Sequence, residues 1–288
     1  MSEFYILCYH KIGDVPKNTK YPGLYVSEKN FNSHINILKT NGFNFLTLTE
    51  FEKIYKSLHY NKFINTSISG VCSKTDSFAI NKKADLFNYF LDSLKLISTK
   101  RKIFKKKACI RNNHKKYAVI TFDDGSESLY KNAFKILKSN DVKATIFIIS
   151  DLIGGINEWD TKNGEVTDRL LSQEQIKEMA EYGVEIGAHS RTHPHLTEIP
   201  LEKTNDEIVC SKKKIENLFD IKVNFFAYPY GDLNKAIKNI AEKAGFIGAC
   251  STKCGIVKNN ADFFELPRID MRWNTYLFKL KRLIFKQI

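Results

Sequence analysis

The chain is 288 residues long, 43% hydrophobic and 27% charged, with a formal net charge of +13. That composition supports a buried core in one large domain or two small ones and excludes disorder throughout. No run approaches the roughly 18–20 consecutive apolar residues that a membrane-spanning helix needs, and the six cysteines form no CxxC pair, so they read as free thiols.

The start, MSEFYILCYHKIGD, carries an acid at position 3 and breaks its apolar run at His10 and Lys11. A secretory signal has a basic start and a longer apolar stretch, so the chain is expected to be cytoplasmic. Phe4–Tyr9 reads as a strand. From there one phrase recurs: an amphipathic helix, a helix-ending Gly or Asn, then a short apolar strand. It appears in FNSHINILKTNGFNFLTL (31–48), NAFKILKSNDVKATIFII (132–149), EQIKEMAEYGVEIGA (174–188) and KAIKNIAEKAGFIGA (235–249). Gly42, Gly183 and Gly245 sit where a left-handed cap is wanted, and Asn140 is placed to serve in the same way. Further strands are expected at Ala118–Phe122, Phe225–Ala227 and Leu266–Ile269. All are continuous apolar runs, as strands buried on both faces are. The expected fold is α/β: a distorted parallel (β/α) barrel of about seven or eight strands, spanning 1–288 as one domain.

Residues 52–117 do not follow the phrase. ADLFNYFLDSLKLI (84–97) has helical periodicity and runs into STKRKIFKKKACIRNNHKK. Between Lys82 and Lys116 there are twelve Lys or Arg and two acids, a local charge of +10. This stretch is read as a basic, mainly helical insertion. At the other end, residues 273–288 place Trp273, Tyr276, Leu277, Leu280, Leu283 and Ile284 on one helical face. That segment reads either as a last barrel helix packed on the core or as an interfacial helix which, with the basic insertion, rests on an anionic membrane surface. Residues 98–116 interleave few aromatics and show no binding motif, which argues against nucleic acid as the partner.

Three strand ends are unusually polar: Asp123-Asp124-Gly125, His189-Ser190-Arg191-Thr192-His193 and Tyr228-Pro229-Tyr230-Gly231. The C-terminal strand ends of such a barrel are where functional residues gather. Two histidines four apart with one carboxylate make a three-ligand set for zinc or a similar divalent ion, with a position left for water. A second carboxylate beside it can take a proton from that water. Each piece alone also reads as a turn or cap; the three together point to a metal site.

TFDDG (121–125), HSRTH (189–193) and FAYPYG (226–231), in this order, resemble the polysaccharide deacetylase family, the NodB-homology carbohydrate esterases. Residues 9–51 are most similar to the branch that deacetylates poly-N-acetylglucosamine. The resemblance implies a distorted (β/α) barrel, a divalent metal (zinc first, with nickel, cobalt or iron as alternatives) and hydrolysis of the acetamide of an N-acetylated amino sugar in a cell-envelope or lipid-linked glycan. It makes Asp123 the general base, Asp124, His189 and His193 the metal ligands, and the Tyr230 N–H a donor to the oxyanion. Two positions depart from the family pattern. Ala227 stands where many members have an arginine that braces the catalytic aspartate, and Arg268, in LPRID (266–270), is the substitute. The C-terminal Leu-x-His that supplies a general acid is missing, and His10, at the end of the first strand, is expected to replace it. His195 reads as a loop residue; His34, His59 and His114 carry no motif. The alternatives are hydrolysis of another non-peptide C–N bond, in a formylated sugar or small amide, and a non-catalytic carbohydrate- or lipid-binding barrel; in each case the expected place is the cytoplasm or the inner face of the membrane.

Overall fold

A computed structural model of the chain describes residues 2–58 and 115–275, together with residues 280 and 282. The chain divides into two compact units, residues 1–56 with 114–288 and residues 57–113, and the barrel belongs to the first. The basic stretch, its expected helix at 84–97 and most of the expected C-terminal helix lie outside the described residues. Trp273 stands in a turn and is about half exposed, whereas Leu280 is fully buried in the core. No helix among the described residues is long and apolar enough to cross a membrane.

The apolar runs form the strands β1 (Glu3–Tyr9), β4 (Phe43–Leu46), β5 (Lys116–Phe122), β6 (Thr145–Ile148), β7 (Glu185–Ala188), β8 (Phe225–Ala227), β9 (Gly248–Cys254) and β10 (Leu266–Asp270). All pairings in this sheet are parallel, in the order β1-β10-β9-β8-β7-β6-β5-β4. It closes because β1 also pairs with β5 along seven residues, from Glu3↔Lys116 to Tyr9↔Phe122. The closed ring therefore has seven strands. β4 is an eighth, lying on the first half of β5, whose last two residues pair with β6 instead. A two-stranded parallel ribbon, β2 (Lys11–Ile12) with β3 (Tyr25–Val26), follows the first strand and was not legible as a strand pair.

The two-residue period of a strand sorts side chains between two apolar clusters. Phe4, Ile6, Tyr117, Val119, Phe147, Phe225, Ala227, Cys250 and Leu266 share one with Leu46, Leu48, Phe51 and Tyr55, from β4 and a helix over 48–58. Their alternates Tyr5, Leu7, Ala118, Ile120, Ile146, Ile186, Phe226 and Ala249 share the other with Phe31, Ile35, Leu38, Leu137, Ile176, Met179, Ile208 and Ile237 from the surrounding helices. Carried on toward the strand ends, the first parity reaches Cys8 and His10, Thr121 and Asp123, Gly187 and His189, and Arg268. Period alone thus collects the polar residues at one mouth of the barrel.

The helix caps follow the sequence, with one shift. Gly42, Gly183 and Gly245 have left-handed φ, but after the helix Phe134–Asn140 the left-handed residue is Asp141, at φ 51°. Asn140 remains helical and its side-chain amide donates to the Ile136 carbonyl.

Candidate metal centre and active site

The strand β5 ends by donating the Asp123 N–H to the Tyr9 carbonyl at 2.9 Å. The next residue breaks the extended path. Asp124 has φ 70° and Gly125 φ 72°, a region that disfavours a side chain, so two consecutive carboxylates enter one site rather than opposite faces. Five residues of π-helix, Leu129–Ala133, follow, a local irregularity common beside functional sites.

Asp124, His189 and His193 are all buried. Asp124 Oδ1 lies 3.3 Å from His189 Nε2 and 3.4 Å from His193 Nε2, and the two nitrogens are 3.3 Å apart. Three donors held about 2.0–2.1 Å from one tetrahedral ion are separated by about 3.3 Å, so the spacing fits a divalent cation. The tautomer fits as well. His189 Nδ1 donates to the Ala227 carbonyl at 2.8 Å, which turns the Nε2 lone pair toward Asp124. His193 has φ 65°, its N–H is held by Ser190 Oγ at 3.0 Å, and its Nδ1 is buried without a protein partner. Burial pulls the Asp124 carboxyl upward, but the two facing imidazoles, which hydrogen-bond to it when protonated, outweigh burial and hold the group well below the usual carboxylate range.

Asp123 occupies the adjacent position. Arg268 donates Nη1 to its Oδ1 and Nη2 to its Oδ2, both at 2.7 Å, in a bidentate fork. Two further guanidinium N–H groups donate to Ser251 O at 3.1 Å and Thr121 Oγ1 at 3.2 Å. Arg268 thus makes four hydrogen bonds although it is only 2% exposed. Burial raises the Asp123 pKa, but the charge and hydrogen bonds of Arg268 prevail and keep the carboxylate ionised. Cys8 Sγ sits 3.6 Å from Asp123 Oδ2. A ring nitrogen of His10 lies within 4.8 Å of an Asp123 carboxylate oxygen and of the Cys8 sulfur, and His10 Nδ1 is buried without a hydrogen-bond partner. His10, just past the first strand, therefore stands at the same centre as Arg268 on the last.

Tyr230 has φ 58° in a short turn and is 44% exposed. Its ring lies edge-on to His193 (4.6 Å between centroids) and stacks on His195 at 3.8 Å. His195, whose Nδ1 is 2.8 Å from Asp232 Oδ2, is thus a support for the Tyr230 ring, a role its loop sequence did not announce. His34 likewise carries no motif, yet it is buried between the Tyr9 hydroxyl and the Thr275 carbonyl.

The sequence also gave no sign of the excursion between β6 and the helix Gln173–Tyr182. It is stitched to the residues after Asp124 by Leu171 N–H to Gly125 O at 2.8 Å and Glu127 N–H to Arg169 O at 2.7 Å. It brings the Trp159 ring to 4.6 Å from His193 and a buried carboxylate, Asp160, to the neighbourhood of Asp124. Burial, then the charge of Asp124, pushes Asp160 up to about 6, although Lys11 opposes this. Lys11 is itself buried, 3.4 Å from Asp168 and 3.5 Å from the Tyr25 hydroxyl. The chain has two tryptophans, and one of them in Asn157-Glu158-Trp159-Asp160 is the nearest thing to a signal.

Residues 110–249 match the family model for polysaccharide deacetylase. YxkH of Bacillus subtilis is 32% identical over 154 residues, 54% of this chain and 51% of the relative. The poly-beta-1,6-N-acetyl-D-glucosamine N-deacetylase of Staphylococcus aureus is 28% identical over 172 residues, 57% of each chain. The chain thus spans just over half the length of these relatives. Among solved structures, the Streptococcus pyogenes deacetylase PplD, in complex with acetate, superposes with a TM-score of 0.67 at 23% identity, covering 98% of this chain and 97% of that one. IcaB from Ammonifex degensii does so at 0.64 and 19%, with coverage of 98% and 97%. These superpositions establish a shared fold.

Proposed function

We propose that this chain, which belongs to the polysaccharide deacetylase family through residues 110–249, is a metal-dependent N-deacetylase that releases acetate from an N-acetylated amino sugar in a glycan. The observation that carries the reading is the buried Asp124–His189–His193 set, with ligand atoms 3.3–3.4 Å apart, beside a second carboxylate locked by an arginine. The similarity to a poly-beta-1,6-N-acetyl-D-glucosamine N-deacetylase supports an N-acetylglucosamine polymer as the first substrate to try.

Asp124, His189 and His193 would hold the ion, zinc being the first choice for two imidazoles and a carboxylate. A divalent ion there supplies Lewis acidity to water and to the amide oxygen. Asp123, ionised and fixed by Arg268, takes a proton from the attacking water. The backbone N–H of Tyr230 is the donor assigned to the developing oxyanion. His10 gives a proton to the nitrogen as the C–N bond breaks, so that amide and water leave as amine and acetate. The basic stretch of 82–116, with its charge of +10, supports contact with an anionic membrane surface as part of this proposal, with the chain on the cytoplasmic side.

The test is metal analysis of the purified protein together with acetate release from polymeric and lipid-linked N-acetylhexosamines. Wild-type protein is expected to carry about one divalent ion and to release acetate, and His189→Ala and His193→Ala to lose both together. Full metal content in either variant overturns the ligand set. Absence of acetate release, with or without formate release from a formylated sugar offered beside them, overturns the substrate class.

A further inference from the structure

Asp160 is a buried carboxylate, 7% exposed, with no cation within 4.0 Å among the described residues. Lys11, whose charge acts on it, gives its Nζ to Asp168 and Tyr25. Desolvating a carboxylate without a counterion is costly, and a hydrogen bond from the Asn157 side chain offsets that cost only in part, since burial still prevails. The backbone around it is rigidly specified. Asn157 accepts from Asp168 N–H at 2.7 Å through its side chain and donates to Val166 O at 3.0 Å. Its carbonyl receives the Asp160 N–H at 3.0 Å, and the Asp160 carbonyl receives Asn163 N–H at 2.9 Å. Thr19 Oγ1 and Lys20 N–H clamp Glu165 from the loop before β3, at 2.5 and 2.7 Å. The construction thus holds Trp159 and Asp160 at the metal centre. Trp159 keeps part of its surface exposed while packing on His193. Tyr230, 44% exposed, lies at the same distance from that imidazole, so two aromatic rings border it.

Two aromatic faces and an unpaired carboxylate match the chemistry of a pyranose, whose C–H faces pack on rings and whose hydroxyls donate to a carboxylate. Resting on the deacetylase reading, we infer that Asp160 is a specificity-determining residue which accepts hydrogen bonds from hydroxyls of the sugar bearing the acetamide, while Trp159 packs on that sugar's face. A small acyl ester without a sugar makes neither contact, so Asp160 separates sugar substrates from bare acyl groups.

The chain has two tryptophans, so Trp273→Phe leaves Trp159 as the only indole reporter. In that background, an N-acetylglucosamine oligomer should change Trp159 fluorescence saturably. Asp160→Asn should raise its Kd by about 10–100-fold, the range for a hydrogen bond to a charged group. Metal should be retained, and any loss of 4-nitrophenyl acetate turnover should be smaller than the loss on the oligomer. Asp160→Glu, which keeps the charge, should recover part of the affinity and guards against a folding effect of the amide. An unchanged Kd in Asp160→Asn overturns the inference, as does an oligomer that leaves Trp159 fluorescence unmoved. An equal loss of ester and oligomer turnover overturns it too, since Asp160 would then act on the centre itself. Asp160-dependent binding without acetate release keeps this subsite and refutes the deacetylase reading.

Discussion

The Asp123–Arg268 pair shows what one residue can decide. A buried carboxylate is costly unless paired and hydrogen-bonded, and here the guanidinium grips both carboxylate oxygens and is itself anchored on Ser251 O and Thr121 Oγ1. Arg268→Ala should therefore lower unfolding free energy by about 3–5 kcal/mol, read from urea denaturation, and slow turnover with the metal still bound. A stability within 1 kcal/mol of wild type would show that the pair is not held as described. The neighbouring acids should separate by role. Asp123→Asn should retain the ion and lose about 10²–10⁴-fold in kcat, whereas Asp124→Asn should lose the ion itself; metal analysis beside kinetics distinguishes them, and the reverse pattern would exchange their assignments. His10→Ala should cost a similar factor in kcat with metal content unchanged, and an unaltered rate would require another proton donor.

At the scale of strands and loops, Gly187 shows how tightly the lumen is filled beneath the centre. A Cβ there would lie 2.5 Å from the Phe147 ring and 3.1 Å from the Phe225 carbonyl, and Phe147 in turn lies under the Arg268 guanidinium at 5.8 Å. Gly187→Ala should destabilise by about 1–3 kcal/mol through overpacking and disturb Arg268 as well, so thermal melting and kcat should fall together. The eight sheet strands and the Asp-Asp and His-x-x-x-His ends were legible because a strand buried on both faces must be an apolar run, and a polar residue ending it stands out. Arg268 and His10 were reached from missing family residues and barrel closure. Trp159, Asp160 and Lys11 were not reached. The excursion that carries the first two is fixed by backbone bonds such as Leu171 N–H to Gly125 O, which leave no periodicity in the side chains. The β2–β3 ribbon is only two residues long on each side, too short for a pattern.

Across the whole molecule, His34 ties the two ends of the described chain together. It bridges the Tyr9 hydroxyl of β1, at 3.2 Å, and the Thr275 carbonyl, at 2.6 Å. Burial lowers its pKa from the ordinary 6.5 to about 4, the hydrogen bond to Thr275 notwithstanding. Between those values the unfolded chain binds a proton that the folded chain excludes, so stability is full above about pH 6.5 and falls as the pH drops toward 4. Melting temperatures at pH 7 and pH 4.5 should show this loss, and a smaller one in His34→Gln; equal losses would assign the acid sensitivity to other groups. The closure between β1 and β5 has a consequence for how the protein comes into being. Cys8 and His10 are made before Asp123, and Asp123 before Arg268, and β1 finds one edge partner in β5 and the other only in β10. On a ribosome, therefore, the nascent barrel stays an open sheet with an unsatisfied first strand until β10 emerges. Asp123 waits through that interval without its arginine. Closing the ring and completing the centre are then one event, and a chain cut short of β10 never acquires the Asp123–Arg268 pair.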